Sequence, residues 1–595
     1  MVYSHFFDKF KYAFENTPDK TAFVTCDNRQ ISWREYFNYC CSFANGLASN
    51  EITREETVAI MGFNHPYWSI SAIGASLFGS AFTGIYPTNG PEEVEHNLSL
   101  TDTSVLVIEN MKLLSQIELK TKLKLIIVYN EDTSLEKYQD IPLITMSQFL
   151  ERYKKTTSVS PPQDHQTPLC YIFTSGTTGL SKAVTITHAN VCYTSDKMCN
   201  IYQLSDERIV SYLPLSHIAA SMLDIFCHFY HQGTVFFAKP DALKGTLKDT
   251  LVQAQPTMFF GVPRVWEKMY ERMLATAKEK YRGCPGTILK SVIQYAKDKT
   301  KNVHLKFQNA TSPNLNEKIV FNTLGKLFFG KIKSQLGFGD CRYFMTGAAP
   351  ISRDILEYFA SIDIVINEFY GMSETTGVIT ASLPSDYKWG SVGKPLIGTV
   401  KIAEDGEVLY QSPCVFREYK DNSSATRETI TDDWLHTGDI GKMEDGHLYI
   451  TGRKKELLIT AGGENVAPVK IEEKIKHFGP AINHVVVVGD KQKYLTCLIT
   501  LHLEENSNLL VNREVDPTVQ DITSAIKSTP WMDYIQKSVD LYNANPVSKA
   551  QKIQKFTILD KDFTIQNNCL TPTMKIKRNK IYHLFEKEIK EMYVG

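Results

Sequence analysis

Short apolar runs, rich in β-branched and aromatic residues, recur over residues 103–370 of this chain. Longer amphipathic stretches separate the runs from one another. Strands that are apolar almost throughout are typical of parallel sheets covered by helices on both faces, so the pattern predicts an α/β fold. The runs occupy residues 103–110, 123–130, 168–173, 233–238 and 362–370.

The pattern changes twice toward the C-terminus. From about Gly393, short strands alternate with turns, which predicts a small antiparallel sheet or barrel. After Arg453, an amphipathic helix and two buried strands indicate a compact α+β unit. Because 595 residues exceed what one core serves, we expect two or more domains, and the changes of pattern place two. The first, over residues 1–452, would contain two parallel-sheet α/β subdomains and a small β-barrel-like subdomain, and a small α+β domain would follow over residues 453–595.

Composition narrows the function classes. The 65 basic and 66 acidic residues give a formal net charge of -1, so we expect no nucleic-acid partner. The 12 cysteines include no Cys-x-x-Cys pair, and no His-Glu-x-x-His pattern occurs, so neither a zinc site nor a redox pair is expected. Scattered reduced thiols and the lack of a signal-peptide core predict a cytoplasmic protein.

One uncharged stretch allows two interpretations. Residues 58–90 contain no Asp, Glu, Lys or Arg, and within them residues 69–86 are long enough to cross a bilayer. Ser, Thr and Gly dilute this stretch, however, and Asn64, His65 and Pro66 precede it. We therefore favour a buried helix of small residues over a membrane span. A second segment, residues 278–340, is Lys-rich and is predicted to form a peripheral helical layer.

The densest polar stretch is FTSGTTGLSKAVTITHAN at residues 173–190, which follows a predicted strand. Successive N–H groups of a Gly- and Thr-rich turn form a nest for phosphate oxygens, and a lysine adds a full positive charge. A Walker loop is excluded, because Gly must directly precede its lysine and Ser or Thr must follow, whereas Ser181 and Ala183 flank Lys182. The predicted phosphate contacts are Thr174, Ser175, Gly176, Thr177, Thr178, Gly179, Leu180, Ser181 and Lys182.

Further motifs follow this loop in order along the chain. Together with TSGTTGLSKAV and THAN they resemble the adenylate-forming superfamily of acyl-CoA synthetases, luciferases and peptide-synthetase adenylation domains. Within it, the chain is similar to the long-chain acyl-CoA synthetases of the bubblegum type from about Ile31 to Ile581. The motifs are SYLPLSHIAASMLDI (211–225), PTMFFGVPRVWEKM (256–269), MTGAAPIS (345–352), NEFYGMSETTG (367–377), DDWLHTGDIG (432–441), YITGRKKELLITAGGENVAP (449–468) and TPTMKIKRNKI (571–581).

The resemblance implies a long-chain-fatty-acid–CoA ligase that uses ATP, Mg²⁺ and coenzyme A. A fatty carboxylate would become acyl-AMP with release of pyrophosphate, and then acyl-CoA with release of AMP. By resemblance, Tyr370 stacks on the adenine, Thr375 contacts the α-phosphate and Glu374 holds Mg²⁺, a hard cation that prefers oxygen ligands. The further nucleotide contacts that it implies are Gly347, Ala348, Ala349, Pro350, Glu368, Phe369, Gly371, Met372, Ser373, Asp439, Arg453 and Lys575.

The resemblance also assigns the acyl tunnel and the catalytic set. His217 would lie where the tunnel meets the nucleotide. Phe259, Phe260 and Gly261 would wall the tunnel, although an ordinary core position suits them nearly as well. The catalytic residues implied by the resemblance are Lys575, Glu374, Thr174, Lys182 and His217.

In the last motifs the resemblance implies a moving domain. Asp439 would accept hydrogen bonds from the ribose hydroxyls, and Arg453 would contact the nucleotide. Family members rotate the C-terminal domain between the two half-reactions, which implies that Lys455 is the hinge. Gly462 and Gly463 would let the chain pass close to the pantetheine arm of coenzyme A. The remaining charges of the last motif, Lys577, Arg578 and Lys580, are expected to be solvated or to face coenzyme A.

The chain also departs from the family pattern, which usually has Pro at position 181 and Gly at position 183. Ser181 is expected to loosen the loop before Lys182, and Ala183 to add a methyl group where the backbone comes close to its neighbours. QNNCL, ahead of the final lysine, lacks the Gly-Glu often found there. Two alternatives therefore stay open: an adenylating enzyme that passes its acyl group to another acceptor, and a catalytically weakened lipid- or nucleotide-binding homologue. Peripheral association with intracellular membranes is the alternative to a purely cytoplasmic location.

Overall fold

This computed structural model of the chain describes residues 6–130, 133–154, 161–162, 164–174, 180–280, 287–462, 464–504, 507–512, 514–571 and 575–594. The strands up to residue 261 are β1 (Thr21–Val24), β2 (Gln30–Ser32), β3 (Thr57–Met61), β4 (Phe82–Ile85), β5 (Thr103–Ile108), β6 (Leu125–Val128), β7 (Lys137–Tyr138), β8 (Ile141–Thr145), β9 (Pro168–Thr174), β10 (Lys182–Thr187), β11 (Arg208–Ser211), β12 (Thr234–Phe237) and β13 (Met258–Gly261).

The later strands are β14 (Tyr343–Thr346), β15 (Ile366–Tyr370), β16 (Thr380–Ala381), β17 (Lys394–Pro395), β18 (Thr399–Ile402), β19 (Glu407–Gln411), β20 (Glu418–Tyr419), β21 (Ile430–Thr431), β22 (Trp434–Glu444), β23 (His447–Arg453), β24 (Leu458–Ile459), β25 (Asn465–Val466), β26 (Ile482–Val488), β27 (Leu495–Leu501) and β28 (Ile553–Ile558).

The α-helices up to residue 280 are α1 (Phe6–Asn16), α2 (Trp33–Ser49), α3 (Pro66–Phe78), α4 (Pro91–Leu100), α5 (Met111–Leu114), α6 (Met146–Arg152), α7 (His188–Ile201), α8 (Ile218–Ala220), α9 (Cys227–His231), α10 (Leu247–Ala254) and α11 (Pro263–Lys280). The later ones are α12 (Thr287–Gln308), α13 (Leu315–Val320), α14 (Lys326–Gln335), α15 (Arg353–Ser361), α16 (Ser423–Thr429), α17 (Pro468–Phe478), α18 (Ile522–Ala525), α19 (Thr529–Asn543), α20 (Arg578–Leu584) and α21 (Glu586–Tyr593). Wider π-helical turns occur at Ser221–Phe226 and Phe321–Gly325, and 3₁₀ turns at Ala242–Lys244, Ser373–Thr375, Lys454–Glu456 and Lys549–Gln551.

The largest sheet of the described residues has the strand order β20-β10-β9-β4-β3-β5-β6-β8-β7. Its strands from β9 to β8 run parallel, and antiparallel strands close both edges. Successive residues of β3 enter different cores: Val58 and Ile60 pack in one, and Ala59 and Met61 in the other. Both faces of the sheet are therefore covered, as the continuous apolar runs predict, and the α/β prediction is confirmed.

The second main sheet has the order β13-β14-β15-β16-β17, and its first three strands are parallel. A smaller sheet, β11-β12-β1-β2, contains the predicted strand at 233–238. Where the sequence predicts a small sheet or barrel, the strand order is β18-β19-β22-β21, with β23 beside β22. Near the C-terminus, β26, β27 and β28 form a further sheet with one antiparallel and one parallel pairing.

The uncharged stretch at 58–90 forms β3, the buried helix α3 and β4. Pro66 stands in the first turn of α3, and Gly79 ends the helix with a φ of 104°. The small residues permit close packing, since a Cβ on Gly74 would come within 2.7 Å of the Phe43 side chain. The buried helix is thus confirmed, and among the described residues no helix is long and apolar enough to cross a membrane. The segment 278–340 is mostly helical, also as predicted.

Contacts divide the chain into two compact units. The first comprises Met1–Val400, Tyr410–Leu435 and Gly446–Leu448, and the second comprises Lys401–Leu409, His436–Asp445 and Tyr449–Gly595. In the second unit, α17 and α19 cover one face of the β26-β27-β28 sheet, while residues of α20 and α21 pack in a separate core with Val486 and Leu498. The domain boundary between residues 452 and 453 stays a prediction.

Candidate active site

In the first unit, the predicted phosphate loop lies between two strands that pair antiparallel, β9 and β10. Thr174 ends β9 and is the register partner of Lys182, which begins β10. Thr174 is half-buried, whereas Leu180 is exposed. Five of the predicted phosphate contacts lie outside the described residues: Ser175, Gly176, Thr177, Thr178 and Gly179. The described ends of the loop are therefore held by a hairpin of the largest sheet.

The two unusual residues beside Lys182 are both held by tertiary contacts. The Ser181 hydroxyl donates to Asn97 Oδ1 at 2.9 Å, and the Ser181 carbonyl lies 2.9 Å from His96 Nε2. The expectation that Ser181 loosens the chain is therefore wrong at this residue, because two side chains of α4 anchor it. The Ala183 side chain is fully buried in an apolar cluster with Ala81, Tyr171 and Phe173, so its methyl group is accommodated.

Glu374 lies in a buried 3₁₀ turn and meets the loop through a tyrosine. The Tyr419 hydroxyl donates to Glu374 Oε1 at 2.7 Å. The Lys182 ammonium lies over the ring of the same tyrosine, 4.8 Å from its centroid. Burial raises the pKa of Tyr419, and the neighbouring Glu374 carboxylate raises it further, so the phenol stays protonated and keeps donating. One side chain thus links the predicted metal ligand to the predicted phosphate-binding lysine.

Residues 414–420 also connect the turn that holds Glu374 to strand β10, which begins at Lys182, through main-chain hydrogen bonds. The Phe416 N–H donates to the Glu374 carbonyl at 2.8 Å, and the Lys420 N–H donates to the Ala183 carbonyl at 2.9 Å. Strand β20 pairs antiparallel with β10, with Tyr419 opposite Val184. Tyr419 belongs to none of the sequence motifs. The only available signal was a tyrosine in a short strand-like stretch, and that does not reveal its partners.

The motifs MTGAAPIS and NEFYGMSETTG meet at the carboxyl ends of β14 and β15. A Cβ on Gly347 would come within 2.9 Å of the Phe369 carbonyl and 3.4 Å of the Phe260 ring, so a side chain there would collide with β15. Ala348 has a φ of 70°, in the left-handed region that non-glycine residues seldom adopt. Ala349 and Pro350 of the same turn are exposed, and Glu368 accepts a hydrogen bond from the Gly390 N–H at 3.2 Å.

The second of these motifs folds back on itself. A Cβ on Gly371 would lie 1.7 Å from the Gly377 carbonyl, which excludes any side chain there. The Thr375 side chain is fully buried, and its hydroxyl donates to the Met372 carbonyl at 3.0 Å. Ser373 is buried, whereas Tyr370 is half-buried at the end of β15. The turn therefore brings Glu374 and Tyr370 onto one short, tightly closed segment.

The predicted tunnel residues lie on opposite faces of β13. Phe259 is buried in a core cluster, with its ring 5.1 Å from that of Phe338, whereas Phe260 faces Phe369 at 6.4 Å. The Gly261 carbonyl accepts a hydrogen bond from Trp266 Nε1 at 3.0 Å. His217 is half-buried, and its Nδ1 accepts a hydrogen bond from the Ala219 N–H at 3.3 Å. Phe260 thus lies on the side of Gly347, and Phe259 lies in the core.

In the second unit, two predicted nucleotide contacts form an ion pair. Arg453 Nε lies 3.2 Å from Asp439 Oδ1. Glu407 supports the turn before Asp439, because it accepts a hydrogen bond from the Gly438 N–H at 2.9 Å and pairs with Lys454 at 2.9 Å. Burial alone would raise the pKa of Glu407, but hydrogen bonds from Lys454, His436 and Gly438 outweigh it and lower the pKa.

The remaining predicted residues of this unit lie nearer the surface. Lys455 and Gly462 are exposed, and Gly463 lies outside the described residues. Lys575 is half-buried, and its main-chain N–H donates to Thr571 Oγ1 at 3.0 Å. The Thr571 N–H in turn donates to the Lys575 carbonyl at 2.8 Å.

Arg578 does not match the expectation of a solvated or coenzyme-facing charge. It is buried and forms two hydrogen bonds with Glu472, at 2.6 and 3.0 Å. Burial alone would lower the pKa of Arg578, but the Glu472 carboxylate outweighs it and raises the pKa. Glu472 also accepts a hydrogen bond from the Val487 N–H at 2.7 Å. The expectation is wrong because Arg578 holds α20 against α17 and β26, a contact that the basic sequence around it does not reveal.

Metal binding in the first unit would rest on few protein ligands. Within the described ranges, no three side chains of His, Cys, Asp or Glu converge to hold an ion. Mg²⁺ usually takes one or two protein carboxylates and fills its remaining positions with water and substrate phosphates. A single buried carboxylate beside a phosphate loop fits that pattern, so Glu374 suits a Mg²⁺ ion that is carried largely by phosphate oxygens.

Two family models match the sequence. Residues 10–420 match the model described as AMP-binding enzyme, and residues 455–595 match the AMP-binding enzyme C-terminal domain. The chain is 37% identical over 601 residues to long-chain-fatty-acid–CoA ligase ACSBG2 of Xenopus laevis, covering 95% of this chain and 80% of the relative. It is 34% identical over 604 residues to human ACSBG2, covering 95% of this chain and 88% of the relative.

Solved structures of similar shape also exist. The adenylation domain of a carboxylate reductase from Mycobacterium chelonae gives a TM-score of 0.76 at 17% identity, covering 99% of this chain and 91% of that one. The anthranilate CoA ligase AuaEII in complex with anthranoyl-AMP gives 0.74 at 18% identity, covering 99% of each chain. At such low identity the likeness concerns the fold alone.

Proposed function

This chain belongs to the AMP-binding enzymes and, among them, to the long-chain-fatty-acid–CoA ligases of the ACSBG type, and from this membership we propose how its residues activate a fatty acid. The enzyme is an AMP-forming acyl-CoA synthetase that uses ATP, Mg²⁺ and coenzyme A. Its small-molecule substrates are a long-chain fatty acid, ATP and coenzyme A. The cluster of Lys182, Tyr419 and Glu374 is the observation that supports the residue roles most directly.

In the first half-reaction, a carboxylate oxygen of the fatty acid attacks the α-phosphorus of ATP. The bond from that phosphorus to the bridging oxygen breaks, and pyrophosphate leaves. Fatty carboxylates are ionised near neutral pH, so no general base is needed. The protein must instead offset negative charge, and this is the role proposed for Lys182, Thr174 and Lys575. When bound at Glu374, Mg²⁺ supplies further positive charge to the phosphates.

In the second half-reaction, the thiol of coenzyme A loses its proton to solvent, and the resulting thiolate sulfur attacks the acyl carbonyl of the adenylate. The bond from the acyl carbon to the phosphate oxygen breaks, and AMP leaves. We assign Asp439 and Arg453 to the nucleotide, Lys455 to the hinge and Gly462 to coenzyme A, as the resemblance implies. His217 and Phe260 are proposed to border the acyl chain. Phe259 is the weaker tunnel candidate, because its ring packs in the core.

The two alternatives to this function are less favoured. Transfer of the acyl group to a different acceptor is not favoured, because relatives that match 95% of this chain are named as CoA ligases. A weakened homologue was suggested by Ser181 and Ala183, yet the structure anchors the first and buries the second. For location we propose the cytoplasm, with peripheral association at intracellular membranes where long-chain substrates partition.

Exchange of labelled pyrophosphate into ATP tests the adenylation step. We expect exchange that requires both Mg²⁺ and a fatty acid, and AMP release that requires coenzyme A, measured over a series of chain lengths. Glu374→Gln should reduce the exchange about a hundredfold. Glu109→Gln is the matched control, because the Glu109 carboxylate is a half-buried hydrogen-bond acceptor, bound by the Phe63 N–H at 2.8 Å, and lies outside the site. Exchange that is absent with every fatty acid would overturn the proposal.

A further inference from the structure

A continuous helical rod formed by α13, the π-helical turn Phe321–Gly325 and α14 carries the inference. Its inner face is fixed to the first unit, since Val320 and Phe329 are buried in the second main core. Two ion pairs clamp the rod: Lys306 to Glu317 at 2.6 Å, and Lys333 to Asp363 at 2.8 Å. The opposite face of the rod is therefore presented in a defined orientation.

That outer face carries large aliphatic side chains. Leu315 is 75% exposed, Ile319 is 52% exposed and Leu327 is 70% exposed. The surface of a soluble protein does not usually expose several large apolar side chains so fully in one place. Tyr295 of α12 adds to the patch, because its exposed ring lies beside the rod and its hydroxyl accepts a hydrogen bond from Asn316 at 3.0 Å.

The π-helical turn places these three side chains in one line. Leu315 and Ile319 are four residues apart, the spacing of neighbours on one helix face. Ile319 and Leu327 are eight apart, which in a regular α-helix would place them about 80° apart around the helix axis. A π-helical turn inserts about one extra residue, so eight residues cover the rotation that seven normally cover. The turn at Phe321–Gly325 therefore aligns Leu327 with the other two.

The charges on the outer face all have the same sign. Lys318, Lys326 and Lys331 are exposed, and within the described residues none of them forms an ion pair. The one acidic residue of the rod, Glu317, is buried and already bound to Lys306. An apolar stripe flanked by unpaired lysines is the pattern of a helix that lies in the surface of an anionic membrane.

We propose that this lysine-flanked stripe of Leu315, Ile319 and Leu327 docks the enzyme on a membrane that contains anionic lipid. The aliphatic side chains enter the interface, and the three lysines contact the lipid headgroups. A second copy of the chain suits this face poorly, because the lysines of two copies would repel each other. The inference deepens the proposed membrane location, but it depends on this surface and not on the ligase reaction.

Vesicle sedimentation of the full chain tests the proposal. Wild type should bind vesicles of phosphatidylcholine with phosphatidylserine more tightly than phosphatidylcholine alone. The variant Leu315→Ser/Ile319→Ser/Leu327→Ser should weaken binding at least about tenfold, because each side chain loses apolar contact. Lys318→Gln/Lys326→Gln/Lys331→Gln should weaken binding to the anionic vesicles on the order of a hundredfold and remove most of its salt dependence.

A matched control removes exposed aliphatic side chains elsewhere. Leu135→Ser/Val511→Ser/Val547→Ser changes residues that are 51%, 61% and 82% exposed, and it should bind vesicles like wild type. Ligase activity on a water-soluble, shorter fatty acid should be the same in all variants, so failure of the proposed reaction would be seen separately. Equal vesicle binding by every variant would overturn the proposal. So would a dimer in light scattering that the stripe variant disrupts while vesicle binding is absent.

Discussion

The two compact units hold their candidate charged residues in different surroundings. In the first unit Glu374 is 6% exposed and is bound by a tyrosine that is itself 6% exposed. In the second unit the candidate acid Asp439 is also buried, but the basic candidates differ, because the Arg453 side chain is 53% exposed and Lys455 is exposed as well. The deeply buried ion pair of the second unit, Arg578 with Glu472, holds secondary structure together instead.

This difference has a physical consequence for each unit. Buried polar groups are costly to leave unpaired, so those of the first unit are already arranged before any nucleotide binds. Exposed charges lose little when they are unpaired in water, so Arg453 and Lys455 can exchange partners at low cost. A preformed site in the first unit and adaptable residues in the second suit an enzyme with two successive half-reactions.

The largest effect should come from breaking the buried pair of the second unit. Arg578→Met leaves the Glu472 carboxylate buried without its partner, which should cost about 3–5 kcal/mol of stability. Hydrogen exchange of peptides from β26 and β27 would detect the loss within this unit. Replacing both residues, as Glu472→Leu/Arg578→Met, should restore most of the stability. Unchanged exchange in the single variant would show that the pair is not structural.

Lys575→Ala should separate the two half-reactions. Losing a preorganised positive group typically costs about 3–4 kcal/mol, a few hundredfold in adenylation rate. Formation of the thioester from supplied acyl-adenylate should persist. Single-turnover measurements of each half-reaction provide the check, and an equal loss in both would refute the assigned role of Lys575.

Tyr419→Phe tests whether the first unit is preformed around Glu374. Hydrogen bonds to charged groups contribute about 1.5–3 kcal/mol, so pyrophosphate exchange should fall at least about tenfold and need more Mg²⁺ for half-saturation. Tyr129→Phe is the matched control, because that buried tyrosine donates to the Phe63 carbonyl at 2.7 Å. Loss of the Mg²⁺ effect in a Glu374→Gln background would confirm that Tyr419 acts through Glu374. An unchanged Mg²⁺ requirement would contradict this.

Burial in the first unit should also appear in the pH dependence of stability. Asp224 is buried in the π-helical turn after His217, and burial raises its pKa to about 7, against an opposing hydrogen bond from Ser211. An unfolded aspartate has a pKa of about 3.9, so between the two values the folded state keeps a proton that the unfolded state has released. Stability should therefore fall as pH rises through this window, by up to about 1.4 kcal/mol per pH unit. Thermal unfolding of Asp224→Asn should lack this slope, and identical profiles would argue against it.

Much of the molecule could be predicted from the sequence because its signals are local. The apolar runs became β5, β6, β9, β12 and β15, and the uncharged stretch became a buried helix. The predicted phosphate loop could be located because Gly, Thr and Lys in close order are seldom found together for another function. What could not be predicted depends on distant contacts. Ser181 was expected to be loose, yet α4 anchors it. The sequence predicts that Arg578 is solvated or faces coenzyme A, yet Arg578 is buried against Glu472.

The sequence by itself determined the α/β class, the position of the predicted phosphate loop and the order of the motifs that identify an adenylate-forming enzyme. Periodicity and short motifs encode these features within a few residues of each other. Only the tertiary structure decided that Tyr419 joins Lys182 to Glu374, and that a π-helical turn aligns Leu315, Ile319 and Leu327. Strand pairing and helix winding bring together residues that are far apart in sequence, and no local pattern records which partners they will meet.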